Sequence, residues 1–196
     1  MIAMITTASD TVLPLLRKAT AELHAKLDNS LPLASAYPSI EDYSQHLLGF
    51  KNWLSEIAAF VDRSSFSSSE FSEINTALLK LLERDLQALN VKVTSPAPSN
   101  ESSIKLNAAY CMGIEYVVKG SALGSAMLYN KAAKMFPAAP IEFMQDSKNN
   151  GKHRWKEFIE KLEAHDWTED DLVSAQQGSV WAFQRYIKLH EMSQEQ

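Results

Sequence analysis

Residues 35–63 read SAYPSIEDYSQHLLGFKNWLSEIAAFVDR, and the spacing of their apolar side chains decides the fold class. Tyr43, Leu47, Phe50, Leu54, Ile57 and Val61 recur at intervals of three and four, which puts them on one face of a helix advancing about 100 degrees per residue. Ser39, with Asp42 three residues on, comes close to a capping box, in which each side chain satisfies a backbone N–H that the first helical turn leaves open. The stretch therefore predicts a long amphipathic helix. The same period governs most of the chain on either side, whereas alternating β-type runs are hard to find and glycine, at six residues, is scarce.

Working outward, a first helix is expected to start near Ser9, Asp10 or Thr11, to carry Pro14 in its first turn and to end by Asn29 and Pro32. Downstream, SSFSSSEF (64–71) reads as a break and EINTALLKLLERDLQALN (73–90) as a helix; VTSPAPSNESS (93–103) reads as a loop with a candidate N-cap at Ser103. Ile104 to about Met135 reads as helix, stopped by FPAAP (136–140). DSKNNGK (146–152) is expected to be a polar loop and HRWKEFIEKLEAH (153–165) one short helix. Thr168 with Asp171 caps a last helix through Trp181, Phe183, Ile187 and Leu189. The expected fold is all-α, a single-domain helical bundle over residues 1–196, with flexible ends at about 1–10 and 192–196.

Composition limits the function classes. The 196 residues are 45% hydrophobic, enough for one good core. A formal net charge of -5 provides no global basic field for nucleic acid or an anionic membrane. Cys111 is the only cysteine, which excludes an internal disulfide or a cysteine zinc cluster and suits a reducing cytosol. The first twenty residues show no basic region ahead of an apolar stretch, and no apolar run approaches a membrane span. A cytoplasmic protein without a nucleic-acid or membrane partner is expected.

Two stretches carry chemistry. In LRKATAELHAKLD (16–28), Leu16, Ala19, Leu23 and Leu27 form an apolar stripe, and Thr20, Asp28, His24 and Arg17 follow one margin of it. A border histidine bonded to a neighbour and a ligand both fit that position. In YVVKGSALGSAML (116–128), Gly120 and Gly124 stand one turn apart and share a face. Each costs about 1 kcal/mol against alanine inside a helix, so a side-chain-free face needs a use. Either two helices cross closely there, or backbone comes close to a flat ligand.

The first of these stretches closely resembles the proximal-helix motif of the haem oxygenases, and the second is similar to their distal-helix glycine motif, in the expected order. ERDLQALN (83–90), RWKEFIEKL (154–162) and QQGSVWAFQRYIKLH (176–190) resemble further stretches of the bacterial members. The resemblance implies that His24 is the axial iron ligand, that Asp28 fixes its tautomer and that Arg17 pairs with a haem propionate. Thr20 belongs to the same motif and is counted with the haem-binding residues. Gly120 and Gly124 would lie against the porphyrin, with Ser121 and Tyr116 as candidates for ordering water beside it. Haem would be cofactor and substrate, opened to biliverdin, carbon monoxide and ferrous iron by dioxygen and an external electron donor such as a ferredoxin or a flavin or NADPH reductase.

Two positions depart from the family. Ser125 stands where many members have a further glycine, which would narrow the slot or add a hydroxyl. On the helix matched by RWKEFIEKL, Glu160 falls near the place of a propionate-binding base, leaving Lys156, Lys152 or Arg154 as substitutes, Lys156 foremost.

Rival readings are a haem carrier or sensor without turnover, a pure scaffold and a thiaminase-like enzyme. The last would need Cys111 as nucleophile, and AAYCMGIEY (108–116) offers no base to activate it. A ferritin-like di-iron site would need Glu-x-x-His motifs that do not occur. His46, His153 and His190 show no metal-ligand spacing and are expected at the surface or its boundary.

Overall fold

The computed structural model describes residues 8–64, 66, 68–93, 104 and 106–194, with side chains described between Val12 and Glu191. Six helices follow one another: α1 (Ala8–Ser30), α2 (Ile40–Val61), α3 (Ser69–Ala88), α4 (Ala108–Met135), α5 (Glu142–Ala164) and α6 (Glu169–Gln194). A 3-10 turn at Pro32–Ala34 joins the first two, and no strand occurs among the described residues. The all-α class read from the helical period is the class observed. None of the described helices is long and apolar enough to cross a membrane.

Local chemistry explains the helix starts. Asp42 N donates to Ser39 Oγ at 3.0 Å while Ser39 N donates to Asp42 Oδ2 at 2.7 Å, so the capping box of α2 is complete. The six apolar residues that define the face of α2 are all buried. Thr168 and Asp171 cap α6 in the same reciprocal way. The start of α4 differs from expectation: Asn107 Oδ1 accepts the Tyr110 N–H at 2.7 Å and sets the helix at Ala108. Ser103 and most of the 93–103 segment lie outside the described residues. Helix α1 begins at Ala8, which puts Pro14 seventh in the helix instead of in its first turn.

The larger correction concerns residues 146–152, which are helix, not loop. They belong to α5, which runs unbroken from Glu142. Helix α5 is held from outside: Asp85, a buried residue of α3, accepts the backbone N–H groups of Glu142 and Phe143. Within the polar stretch, Asp146 accepts Asn150 Nδ2 at 2.7 Å and pairs with Arg154. Gly151 lies against Ala122 of α4, where an added Cβ would stand 3.5 Å from the Ala122 carbonyl oxygen.

Helices α4 and α6 cross at backbone contact. A Cβ on Gly113 would lie 2.0 Å from the Ala175 oxygen, and one on Gly178 would lie 2.1 Å from the Tyr110 oxygen. Only glycine permits that approach. Around the crossing, Phe60 stacks on Trp181 at 4.1 Å, and Trp53 Nε1 donates to the Ala182 carbonyl at 2.9 Å. A charge cluster centred on the buried Lys119 and Glu115 pins α4: Lys119 reaches Glu115 at 3.1 Å and Glu70 at 2.9 Å, and Glu115 also meets Lys161.

Candidate functional site

The side of α4 beyond the crossing faces a cavity of about 510 Å³, a size typical of small-molecule and cofactor sites, roughly 300–1,000 Å³. Helix α1 contributes Arg17, His24, Leu27 and Asp28, and α4 contributes Tyr116 through Leu128 on its glycine face. His46, Phe50 and Trp53 of α2 meet Phe183 and Tyr186 of α6 at the buried end. Arg17, His24, Asp28, Gly124 and Met127 are exposed and mark the open end. The wall is mostly apolar, with polar groups at a few points.

His24 stands 62% exposed with Nδ1 2.9 Å from Asp28 Oδ2, and its ring centroid is 5.7 Å from that of Phe183. With Nδ1–H donated to the carboxylate, the neutral imidazole leaves its lone pair on Nε2. The Asp28 contact expected from the sequence is therefore formed, and the nitrogen that remains is the one a metal would take.

Gly120 and Gly124 are not crossing residues. A Cβ on Gly124 would meet nothing within 4 Å, and one on Gly120 would meet only the Trp155 ring, at 3.7 Å. The space that their missing side chains leave belongs to the cavity, while the crossing is made by Gly113 and Gly178. Ser125 lines the same wall, buried, with no hydrogen-bond partner for its Oγ among the described residues. Ser121 also lines it, but its hydroxyl donates to the Val118 carbonyl at 2.7 Å. Tyr116 reaches the cavity and is hydrogen-bonded to Thr20; burial pushes its phenol up, so it stays protonated at neutral pH.

The remaining expected residues divide. Arg17 is the only arginine or lysine on the wall among the described residues, at the open end. Thr20 is buried off the wall, donating Oγ1 to the Leu16 carbonyl at 2.9 Å, and touches the site through Tyr116. Lys156 is not on the wall: it is 77% exposed with Nζ 3.6 Å from Glu160, and the spacing of α5 turns both outward. Lys152 is exposed, and Arg154 is committed to Asp146. Cys111 is buried off the wall, 3.8 Å from Ser64 Oγ, and burial pushes its thiol up, so no cysteine nucleophile faces the cavity.

Two histidines expected at the surface or its boundary are inside. His190 is buried, its Nε2 3.3 Å from the Ser30 carbonyl oxygen. His46 is 3% exposed, its ring centroid 5.1 Å from that of Phe50, and neither nitrogen has a hydrogen-bond partner among the described residues. Burial first, and His190 second, push its pKa down to about 4. The signal for His46 was present, because position 46 is three residues after Tyr43 and four before Phe50, on the apolar face itself. His153 is at the surface, 74% exposed.

The donor set fits haem: an imidazole at the mouth, His24, with an open Nε2, a second, His46, at the buried end, a glycine wall, aromatic sides and, among the described residues, a single guanidinium at the mouth. Fold and site together define an all-helical protein with a mostly apolar cavity between α1, α2, α4 and α6. Residues 10–192 match the family model described as "Heme oxygenase", and the chain belongs to the haem oxygenase family. Among solved structures, the NO- and CO-bound haem oxygenase from Neisseria meningitidis has the same fold, with a TM-score of 0.65 at 20% identity over 95% of this chain and 92% of that one. No curated protein matches the chain. Family membership makes it a haem-degrading enzyme.

Proposed function

We propose that the cavity binds haem through His24 and that the protein opens the haem ring to biliverdin, carbon monoxide and ferrous iron, using dioxygen and electrons from a separate donor protein. The observation that carries this reading is the presence in one cavity of an imidazole with its Nε2 open and of Gly124, whose side-chain space no described residue fills.

Bound haem would supply both the iron that activates oxygen and the carbon skeleton that is oxidised. The protein supplies placement. His24 Nε2 holds the iron, and Asp28 keeps the imidazole in the tautomer that allows this. Phe50, Trp53 and Phe183 take the hydrocarbon part of the macrocycle and keep bulk water from it. Gly120 and Gly124 let the backbone of α4 approach the ring face. Ser125, with a hydroxyl free to donate, orders water on that side; Ser121 and Tyr116 offer only acceptor capacity there, since the Ser121 proton goes to the Val118 carbonyl and that of Tyr116 to Thr20, whose own proton goes to Leu16. Arg17 pairs with a propionate at the mouth. A ferredoxin or a flavin or NADPH reductase would deliver electrons, and the lone, buried thiol suits work in a reducing cytoplasm.

Replacing the ligand tests the reading. His24→Ala should take up haemin with an altered visible spectrum and lose turnover, and added imidazole should restore the spectrum. A wild-type spectrum in His24→Ala without imidazole would refute the assignment of the iron ligand.

A further inference from the structure

The buried end of the cavity holds polar groups that the reaction as described above does not use. Both ring nitrogens of His46 and the Tyr186 hydroxyl lack hydrogen-bond partners among the described residues, and both side chains line the cavity. Both neighbour one ring: Phe50 lies 5.1 Å from His46 and 5.1 Å from Tyr186, centroid to centroid. At 3% exposure each, these groups are shut off from bulk solvent, where an unmade hydrogen bond is costly. Their partners must come from the cavity contents.

The chemistry of the groups selects the partner. A neutral imidazole offers one donor and one acceptor, and a protonated phenol offers the same pair. A carboxylate only accepts, so an inward-facing propionate would leave the imidazole acceptor unmade and would place an anion among Phe50, Trp53 and Phe183 with no cation beside it. A haem edge of methyl and vinyl groups offers neither donor nor acceptor. Water does both, and two or more polar partners are what a buried water needs.

We propose that His46 and Tyr186 hold ordered water at the closed end of the cavity, and that this seat sets how far haem enters and which way it is turned. The inference rests on haem as the occupant. His46 is then a positioning residue that touches haem through water. The hydrocarbon edge packs beside the seat, the propionates point towards Arg17, and the ring carbon presented to the glycine wall is selected in part by two residues on α2 and α6.

The test compares wild type with His46→Gln, which keeps a donor and an acceptor, His46→Leu, which keeps neither, and Tyr186→Phe, which removes only a hydroxyl. The first readout is the thermal midpoint of the ligand-free proteins. The second is the pattern of shifted haem-methyl proton resonances in the ferric protein with cyanide as probe, which reports the rotation of haem in its pocket; the biliverdin isomer ratio is the third. The seat requires that His46→Leu keep its ligand-free midpoint within about 2 °C of wild type or exceed it, yet show new haem-methyl patterns and a several-fold rise in the minor isomer. Tyr186→Phe should shift the same way, and His46→Gln should resemble wild type. Unchanged methyl patterns in His46→Leu and Tyr186→Phe would overturn the seat while leaving haem binding intact, and so would a large fall of the ligand-free midpoint in both. A wild-type protein that takes up no haem would instead overturn the haem reading of the site, and the seat with it.

Discussion

Oδ2 of Asp85 accepts the backbone N–H of Phe143 at 3.0 Å, and its Oδ1 accepts that of Glu142 at 3.1 Å, so a carboxylate of α3 caps the start of α5 across a sequence gap of more than fifty residues. Asp85 is fully buried, and removing it strands two N–H donors. Asp85→Ala should cost about 2–4 kcal/mol of stability, read as a lower midpoint in urea with the helical spectrum retained. A loss within about 0.5 kcal/mol would show that α5 starts on its own.

The two kinds of glycine on α4 separate in a single comparison. Gly113→Ala would force a methyl to within 2.0 Å of the Ala175 oxygen, so it should destabilise by at least about 3 kcal/mol or prevent folding. Gly124→Ala meets no atom within 4 Å and gains helix propensity, so the ligand-free protein should be unchanged or up to about 1 kcal/mol more stable. The same Gly124→Ala protein should bind haem less tightly. Equal stability losses for the two variants would remove the distinction between crossing glycines and cavity glycines.

Much of this was readable along the chain, and the failures share a cause. The capping boxes at Ser39 and Thr168 and the apolar face of α2 are local, so spacing alone finds them. His24 and Asp28 are likewise one turn apart on one helix. What spacing could not show depends on distant partners. The stretch around Asn149, Asn150 and Gly151 has turn composition, yet it is helical: Asp85 caps the helix from α3, and Gly151 packs against Ala122 of α4. Gly113 and Gly178 make the helix crossing from positions more than sixty residues apart. Sequence position alone does not give the rotation of α5, which turns Lys156 outward. The burial of His46 is legible by period, since it falls on the apolar face of α2 between Tyr43 and Phe50.

His46 makes stability depend on pH. Its pKa is pushed from 6.5 down to about 4 in the folded protein, by burial and then by His190 of α6. Above pH 6.5 both folded and unfolded forms are neutral and the residue adds no slope. As pH falls from there towards 4, the unfolded chain takes up a proton that the folded chain refuses, so stability falls, by about 3 kcal/mol in all. Urea titrations between pH 7 and 4 should show this loss in wild type and not in His46→Gln. Parallel curves for the two proteins would contradict a neutral, buried His46.

In the proposed haem site, Asp28 would act on the iron through His24. Asp28→Ala leaves Nδ1 without its carboxylate, and a change of this kind beyond the metal ligands typically costs about 10–100-fold in metal affinity or activity. Haemin titrations followed by absorbance should show weakened uptake of that order, with Asp28→Asn between the two. Unaltered affinity and turnover in Asp28→Ala would mean that the 2.9 Å contact is a surface ion pair without bearing on the site.

The most direct measurement follows the visible spectrum of the wild-type protein as haemin is added and ascorbate is then supplied in air. A haem band that saturates at one equivalent and decays into the broad absorption of biliverdin is the predicted result. A band that saturates and then persists unchanged would contradict ring opening and leave a haem carrier; no saturable band would contradict the haem site itself.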